Sequence, residues 1–315
     1  MKSKFLNYTS ALFSLLLFSA ALWFLHREVQ TVHLHHILSE LKIIPGKRLW
    51  LATILTVSSY TMMTGYDYLA IRFIKHSLSL KRIALASFIG NAFNNNIGFS
   101  MLVGASIRYR FYSNWGLSAV EIAKVVAFYT LTQWLGFFSI GSMVLVLEPM
   151  GIPPGSYIPF HTTLPLGVLF LGVLTGFFVL TAFHRQSLHF RGWDIALPSL
   201  PILLSQIFVA CVDWLLAAAL LYTLLPSELP VSFPNFIGLY FLAAMAGVVS
   251  QIPGGLGVFE TAMLLLLTPS MNATQLLGAL ITYRGIYYLL PLGVAAALLG
   301  IQELFRGKEK AKRSV

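Results

Sequence analysis

The stretch FIGNAFNNNIGFSMLVGASIRYRFY, residues 88–112, decides the fold, because it places polar and helix-breaking residues inside an apolar run. An amide buried without a partner costs about 1–3 kcal/mol, and asparagine and glycine both tolerate the left-handed backbone of a turn. The apolar segment 83–107 is therefore predicted to form a re-entrant helical hairpin that turns at NNNIG. The amides either line a path for a polar group or hydrogen-bond neighbouring helices, and they belong to Asn91, Asn94, Asn95 and Asn96.

A second broken segment, GVVSQIPGGLGVFETAMLLLL at 247–267, interrupts the apolar stretch 234–268 and predicts a second re-entrant hairpin. Pro253 is predicted to open a helix there. The glycines after it would leave backbone N–H groups at the positive end of that helix, and such an end suits a phosphate. The alternative is that Glu260 itself complements the helix dipole in the first turn. The glycines are Gly254, Gly255 and Gly257.

The composition is that of a membrane protein, because 57% of the 315 residues are hydrophobic and 10% are charged, against about 25% charged in soluble domains. A bilayer crossing needs about 20 apolar residues in a helix. We predict an all-α integral membrane fold, a single polytopic domain over 1–315 with about six full spans and the two hairpins. The first span is read as a retained segment and not a cleaved signal peptide. The spans are predicted at 10–25, 49–71, 120–147, 164–183, 198–225 and 275–301.

Basic residues predict the orientation, because cytoplasmic loops are enriched in Lys and Arg. The tail 303–315 is strongly basic, whereas three loops contain neither residue, namely 148–163, 226–233 and 268–274. Both termini are therefore predicted to be cytoplasmic, and only the basic loop 26–48 disagrees. The two hairpins would then enter from opposite faces, which is the pattern of an inverted repeat. Its halves are predicted at about 49–147 and 198–301.

Ionised side chains at membrane depth are functional candidates, because each costs about 2.5–3.5 kcal/mol or more at mid-bilayer. Helix rise predicts two layers of charge, one toward each leaflet. The first layer is Asp67 with Arg108 and Arg110, and the second is Asp213 with Glu260 and Arg284. Either these groups are ion pairs that hold the bundle together, or the arginines hold the phosphate and the acids hold the amine of a lipid head group. The predicted head-group path consists of Asp67, Asn94, Asn95, Asn96, Arg108, Arg110, Asp213, Gly254, Gly255, Glu260 and Arg284.

The sequence contains no motif for a metal site or for enzyme chemistry. The histidine cluster His33, His35 and His36 has no cysteine companion nearby for zinc, because Cys211 is the only cysteine. No cofactor, metal site or nucleic-acid partner is therefore predicted. The chain is predicted not to be an enzyme.

Three stretches resemble a known family: GYDYLAIRFI at 65–74, the segment from Ser87 to Gly136 that contains NNNIG and RYR, and IPGGLGVFET at 252–261. They are similar to the transmembrane region of lysylphosphatidylglycerol synthases, which includes the flippase domain of the multiple peptide resistance factors and related stand-alone membrane proteins. The resemblance implies translocation of a membrane phospholipid, of the aminoacylated phosphatidylglycerol type, across a bacterial inner membrane, or else an unassigned role that the stand-alone members share. Because the chain ends at Val315 after its basic tail, aminoacyl transfer is not expected. The positions that match the motifs of the family are Asp67, Asn95, Arg108, Arg110, Gly254, Gly255 and Glu260.

Two further interpretations stay open. One is a non-catalytic membrane scaffold that docks a separately encoded lipid-modifying synthase through its basic cytoplasmic face. The other is a membrane-embedded transferase that acts on a lipid-linked substrate, for which the sequence offers no acid-rich donor-binding loop.

Overall fold

The computed structural model describes residues 44–96, 100–149, 161–183, 188–190, 193–195, 197–226, 230–250, 252–268 and 271–313. The predicted first span, 10–25, and the histidine cluster at 33–36 lie outside these ranges. A 3₁₀ turn, Pro253–Gly255, and a π-helical turn, Gly285–Leu289, interrupt the helical segments. The helices are α1 (Gly46–Phe73), α2 (Leu80–Asn96), α3 (Ser100–Asn114), α4 (Ala119–Leu147), α5 (Leu164–Phe183), α6 (Leu200–Leu224), α7 (Phe233–Ser250), α8 (Val258–Leu267), α9 (Ala273–Arg284) and α10 (Leu290–Arg313).

One short antiparallel ladder departs from the all-helical prediction. Strands β1 (Leu188–Phe190) and β2 (Trp193–Ile195) lie between α5 and α6, with Leu188 opposite Ile195 and Phe190 opposite Trp193. Aromatic and β-branched residues favour extended backbone. Counting apolar spans cannot detect such a ladder, because each strand has only 3 residues.

Among the described residues, 5 helical segments are long and apolar enough to cross a bilayer. Four of them coincide with predicted spans, and α7 coincides with the first arm of the second predicted hairpin. Helix α1 has 28 residues and covers the predicted span 49–71, but it is too polar to be one of the five. The five segments are Ala119–Leu147, Leu164–Phe183, Leu200–Leu224, Phe233–Ser250 and Ala273–Gln302.

Local sequence signals fix where two of the helices begin. At the start of α4 the Ser118 hydroxyl accepts a hydrogen bond from the Glu121 amide at 3.3 Å, and the Glu121 carboxylate accepts one from the Ser118 amide at 2.8 Å. This reciprocal arrangement is a capping box. Asn272 caps α9 through a 2.8 Å bond from the Thr274 amide to its side-chain oxygen.

Helices α1, α4 and α6 form the centre of the bundle. Helix α1 runs antiparallel to α6, because Arg48 at the start of α1 donates from Nη1 to the carbonyl of Leu225 at the end of α6, at 2.8 Å. Helix α4 crosses α6 at Gly136, where an added Cβ would lie 2.6 Å from the Ala210 Cβ. Small residues permit this close approach of helices, as is usual in membrane bundles.

Both predicted hairpins are helix pairs whose arms pack against each other, α2 with α3 and α7 with α8. The first hairpin begins at the end of the bundle where α1 ends and α4 begins, since His76 Nδ1 lies 3.4 Å from Glu121 Oε1. The second hairpin begins at the opposite end, where α6 ends and Tyr222 OH donates to the Val231 carbonyl at 3.0 Å. The chain therefore enters the two hairpins from opposite ends of the bundle.

The tips of the two hairpins meet inside the bundle. A Cβ added at Gly254 would lie 3.2 Å from the carbonyl oxygen of Asn95 and 3.5 Å from that of Asn96. The side-chain amide of Asn96 also donates to the Tyr288 carbonyl at 3.1 Å, which ties the first tip to the π-helical turn. The two interruptions seen in the sequence thus converge on one place in the structure.

Candidate functional site

A cavity of about 500 Å³ lies where the hairpin tips meet. Three apolar residues of its wall are also exposed on the side of the bundle: Trp134 (43%), Val248 (41%) and Ile252 (42%). These three residues form a partly exposed, apolar border of the cavity. Its polar wall residues are Tyr66, Asn94, Asn95, Arg108, Tyr129, Thr130, Gln133, Asp213, Tyr240, Tyr287 and Tyr288.

Asp67 and Arg108 form a buried ion pair at the edge of the cavity. Arg108 donates from Nε to Asp67 Oδ1 at 2.8 Å and from Nη2 to Oδ2 at 2.7 Å. Tyr112 OH adds a third hydrogen bond to Oδ1 at 2.8 Å. A two-pronged contact of this kind fixes geometry as well as charge. Arg110, the other arginine of the predicted layer, is buried but does not line the cavity.

Asn91 extends this network from α2 to α4. Its side-chain oxygen accepts hydrogen bonds from Arg108 Nη2 at 3.1 Å and from Tyr129 OH at 2.7 Å, and its amide nitrogen donates to Ser87 Oγ at 3.0 Å. The Arg108 guanidinium also lies 3.9 Å from the centre of the Tyr129 ring, a cation–π contact. Among the described residues, no hydrogen bond uses Nη1 of Arg108.

Asp213 on α6 lies in the cavity wall, and no basic side chain pairs with it in the part of the chain that the structure describes. Its Oδ2 accepts a hydrogen bond from Tyr66 OH at 2.8 Å, and its Oδ1 accepts one from the Ser59 hydroxyl. Ser59 Oγ lies in turn 3.1 Å from Tyr287 OH. Within the same ranges, no three His, Cys, Asp or Glu side chains come together as metal ligands.

Glu260 and Arg284 form a second ion pair that does not include Asp213. Arg284 donates from Nε to Glu260 Oε1 at 2.9 Å and from Nη2 to the same oxygen. The predicted second charge layer therefore divides into this pair and an Asp213 that bonds to hydroxyl groups. The reason is that helix rise gives the depth of a residue but not the neighbour that its face of the helix meets.

The glycine turn lies in the cavity wall with Gly254 and Gly255, but its backbone differs from the predicted helix start. Pro253 does not open a helix, because Gly254 and Gly255 have positive φ values of 58° and 61° and break the helical path. Helix α8 begins only after Gly257, whose amide already donates to Glu260 Oε2 at 2.8 Å. The structure therefore shows the alternative arrangement, in which Glu260 itself satisfies the start of the helix.

The asparagine turn divides between the two roles considered for it. Asn94 and Asn95 line the cavity. Asn91 and Asn96 instead bond to neighbouring groups, and the Asn96 amide nitrogen donates to two backbone carbonyls at 2.7 and 3.1 Å. The side-chain oxygen of Asn96 is buried and accepts no hydrogen bond from the described residues.

The sequence reasoning missed the tyrosines of the cavity wall. Tyr240 OH and Tyr283 OH lie 2.9 Å apart, and the Tyr283 ring stacks on Tyr287 with ring centres 5.4 Å apart. Tyrosine suits such a wall because its body is apolar and its tip is polar. For two of the wall tyrosines, Tyr287 and Tyr288, the signal in the sequence is YRGIYY at 283–288, where tyrosines recur inside an apolar span.

Apolar helices of spanning length around an internal polar cavity define a multi-pass membrane protein. The chain belongs to the family described as the lysylphosphatidylglycerol synthase TM region, whose model matches residues 11–295. One relative, "Uncharacterized protein slr0712" of Synechocystis, is 38% identical over 285 residues, which cover 89% of this chain and 88% of that protein. Another, "Inner membrane protein YbhN" of Escherichia coli, is 30% identical over 261 residues, which cover 82% of this chain and 81% of that protein.

A third relative is much longer than this chain. Phosphatidylglycerol lysyltransferase of Staphylococcus aureus is 27% identical over 304 residues, which cover 95% of this chain but 34% of the lysyltransferase. The chain therefore spans about a third of the length of that enzyme. The family resemblance read from the three sequence stretches is confirmed, because all three lie within the matched residues.

Proposed function

We propose that this protein is a phospholipid flippase that moves a lipid of the aminoacyl-phosphatidylglycerol type between the leaflets of a bacterial inner membrane. The observation that carries the proposal is the cavity at the junction of the hairpin tips, whose wall contains a basic and an acidic side chain and a partly exposed apolar border. In this proposal the apolar border is an opening toward the lipid at the side of the bundle. The proposal assigns the chain transport and not aminoacyl transfer.

The charges of the cavity suit a head group that carries both a phosphate and an amine. Arg108 lines the cavity and has one guanidinium nitrogen outside the pair with Asp67, so it offers a donor to a phosphate oxygen. Asp213 lines the same cavity, and its hydrogen-bond partners in the described part of the chain are neutral hydroxyl groups, so it offers an acceptor to an ammonium group. The volume lies within the range of about 300–1,000 Å³ that is typical of small-molecule sites.

The side opening accommodates the rest of the lipid. The half-exposed Trp134, Val248 and Ile252 give the opening an apolar border. The charged head group would then lie in the polar cavity while the acyl chains stay in the apolar lipid outside it. This arrangement lowers the free-energy cost of moving a charged group through the bilayer.

The order of the helices supports an inverted repeat as the scaffold for this movement. Helix α1, the hairpin α2–α3 and helix α4 would form one half, and α6, the hairpin α7–α8 and α9–α10 the other. The hairpins enter from opposite ends and meet at the cavity. Transporters built in this way expose a central site alternately to each side. We place both termini in the cytoplasm on the distribution of basic residues.

A cavity-filling substitution tests the proposal without altering any charged group. Ala244 lines the cavity, so Ala244→Trp should obstruct it. Gly172 on α5 has no atom within 4 Å of an added Cβ, so Gly172→Trp adds the same bulk outside the cavity and serves as the control. The measurement is the rate at which a head-group-labelled aminoacyl-phosphatidylglycerol changes leaflet in proteoliposomes.

We expect Ala244→Trp to lower this rate to that of protein-free liposomes and Gly172→Trp to leave it at the parent value. Equal rates for the two variants would refute the cavity as the path. Parallel vesicles with labelled phosphatidylglycerol, which lacks the amine, test the substrate class, and equally fast movement of this lipid would refute the selection of an amine.

A scaffold function is the second candidate, because most of the length of the S. aureus lysyltransferase lies outside the region that matches this chain. The chain would then hold a separately encoded synthase at the membrane. Co-purification of such an enzyme with the parent and with Ala244→Trp, together with no lipid movement by either, would favour this function over transport.

A further inference from the structure

Asp213 is set apart from the other buried acids by the kind of partner that it has. Asp67 is paired with a cation, because the guanidinium of Arg108 donates to both of its oxygens. Glu260 is likewise paired with Arg284. Asp213 is 6% exposed and, among the described residues, receives hydrogen bonds only from the hydroxyl groups of Tyr66 and Ser59.

In the described part of the chain, the other charged residue of the cavity wall is Arg108, and its guanidinium is paired with Asp67. The titratable groups close enough to interact with Asp213 come from three neighbouring helices and the π-helical turn, and all of them are tyrosines, which stay neutral below a pH of about 10. They are Tyr60 and Tyr66 on α1, Tyr129 on α4, Tyr240 on α7 and Tyr287 on the π-helical turn.

An anionic carboxylate at Asp213 would lack the cationic partner that Asp67 and Glu260 have. Burying a charge in a membrane without a partner is costly, so the carboxyl group gains from binding a cation or a proton. The hydroxyl groups around it suit a change of protonation, because a hydroxyl group can rotate and either donate or accept a hydrogen bond. A guanidinium or ammonium partner can only donate, so it would hold the group in its anionic form.

We propose that Asp213 is a proton-binding site whose proton is exchanged for the ammonium group of the lipid, so that lipid movement is coupled to a proton gradient; this rests on the proposed function. When an ammonium group enters the cavity, the protonated carboxyl releases its proton to water and the carboxylate oxygens accept N–H hydrogen bonds. When the lipid leaves on the other side, the carboxylate takes up a proton from that side. One proton therefore moves opposite to each lipid, and no bond to carbon changes.

The exchange of one proton for one lipid predicts how unevenly the lipid is distributed between the leaflets. A gradient of one pH unit is a tenfold ratio of proton activity, or about 1.4 kcal/mol per proton. At equilibrium an amine lipid should therefore accumulate about tenfold in the leaflet facing the more acidic side. Reversing the gradient should reverse the accumulation.

The first experiment tests the proton site with no lipid substrate present. Trp214 is adjacent to Asp213 in sequence and lines the same cavity, so its fluorescence reports on the site. We expect a pH-dependent change of tryptophan fluorescence in the detergent-purified parent that disappears in Trp214→Phe and in Asp213→Asn. Cys211→Ala, a change on the same helix outside the cavity wall, should retain it. An unchanged transition in Asp213→Asn would overturn the proposal.

Ser59→Ala is a second variant that tests the same site if Asp213→Asn does not fold. It removes one of the two hydroxyl donors but leaves the carboxyl group in place, so the transition should persist with its midpoint at a different pH. The same midpoint as in the parent would contradict the assignment. Replacing potassium by sodium at constant pH should leave the signal unchanged, and a sodium response without a proton response would overturn the proton in favour of a metal cation.

The second experiment uses proteoliposomes with a one-unit pH gradient in either direction and the membrane potential clamped. The parent and Cys211→Ala should distribute the labelled amine lipid toward the acidic side, and Asp213→Asn should show no such bias. Lipid movement in the parent with equal distributions under both gradients would overturn the coupling and leave the flippase proposal standing. A parent that moves no lipid would overturn the proposed function, and the fluorescence experiment would then decide on Asp213 alone.

Discussion

Replacing Arg108 by methionine should destabilise the fold by about 3–5 kcal/mol, because it leaves the Asp67 carboxylate buried without its cation. The side chains of Arg108 and Asp67 are 2% and 0% exposed, so the carboxylate that remains is buried. The substitution removes two hydrogen bonds to Asp67 and one to Asn91. It also removes the cation–π contact with Tyr129. The loss of this contact is part of the about 3–5 kcal/mol expected for the substitution.

A double-mutant cycle separates the pair from the rest of the loss. Asp67→Asn should be destabilising as well, whereas the combination with Arg108→Met should cost less than the sum of the two, with a coupling of about 2–3 kcal/mol. The free energy of unfolding is measured by circular dichroism in mixed micelles of increasing dodecyl sulfate content. The exposed Lys124 on α4 provides the control, and Lys124→Ala should leave the unfolding midpoint in place.

Two outcomes would refute this reasoning. A loss of less than about 1 kcal/mol for Arg108→Met would place the pair among weak surface contacts. Additive effects of the two substitutions would show that the carboxylate and the guanidinium do not stabilise each other.

Two glycine substitutions test the helix contacts that frame the cavity. Gly136→Ala should destabilise the bundle by about 1–3 kcal/mol, because the new methyl group would meet Ala210 at 2.6 Å. Gly172→Ala is the control, because the space around Gly172 is open, and it should leave the thermal midpoint unchanged. Equal midpoints for the two variants would contradict the close α4–α6 crossing. Gly254→Ala should lower the free energy of unfolding by about 1–2 kcal/mol, because φ is 58° at this position. It should also slow lipid movement, because the added methyl group would separate the two hairpin tips. A thermal midpoint and a transport rate equal to those of the parent would contradict the contact between the tips.

Much of the helical framework could be predicted because a bilayer imposes a simple rule on sequence. A span must be a helix of about 20 apolar residues, so length and composition alone placed the helix at 164–183, which the structure reproduces as Leu164–Phe183. The helix breaks at NNNIG and PGGLG were visible for the related reason that Asn, Gly and Pro are rare inside a plain span. The short ladder β1–β2 was not visible, because the rule does not apply outside the bilayer.

The candidate site was predictable only in part. The sequence identified Asp67, Arg108, Asp213, Glu260 and Arg284 as candidates because charges are expensive at membrane depth. It could not predict which charges pair, because pairing depends on which faces of neighbouring helices meet. The assignment of these residues to a head-group path remains a prediction, to be tested with the lipid.

The sequence by itself determined that this protein is a membrane bundle with two broken helices and a few costly charges, because composition and periodicity record the solvent that surrounds each helix. Only the tertiary structure decided what those charges do to one another. It pairs Arg108 with Asp67 and Arg284 with Glu260, and it leaves Asp213 among hydroxyl groups in the cavity wall. The physical reason is that the energy of a buried charge depends on the groups within a few ångströms of it, and neighbours on other helices are set by packing.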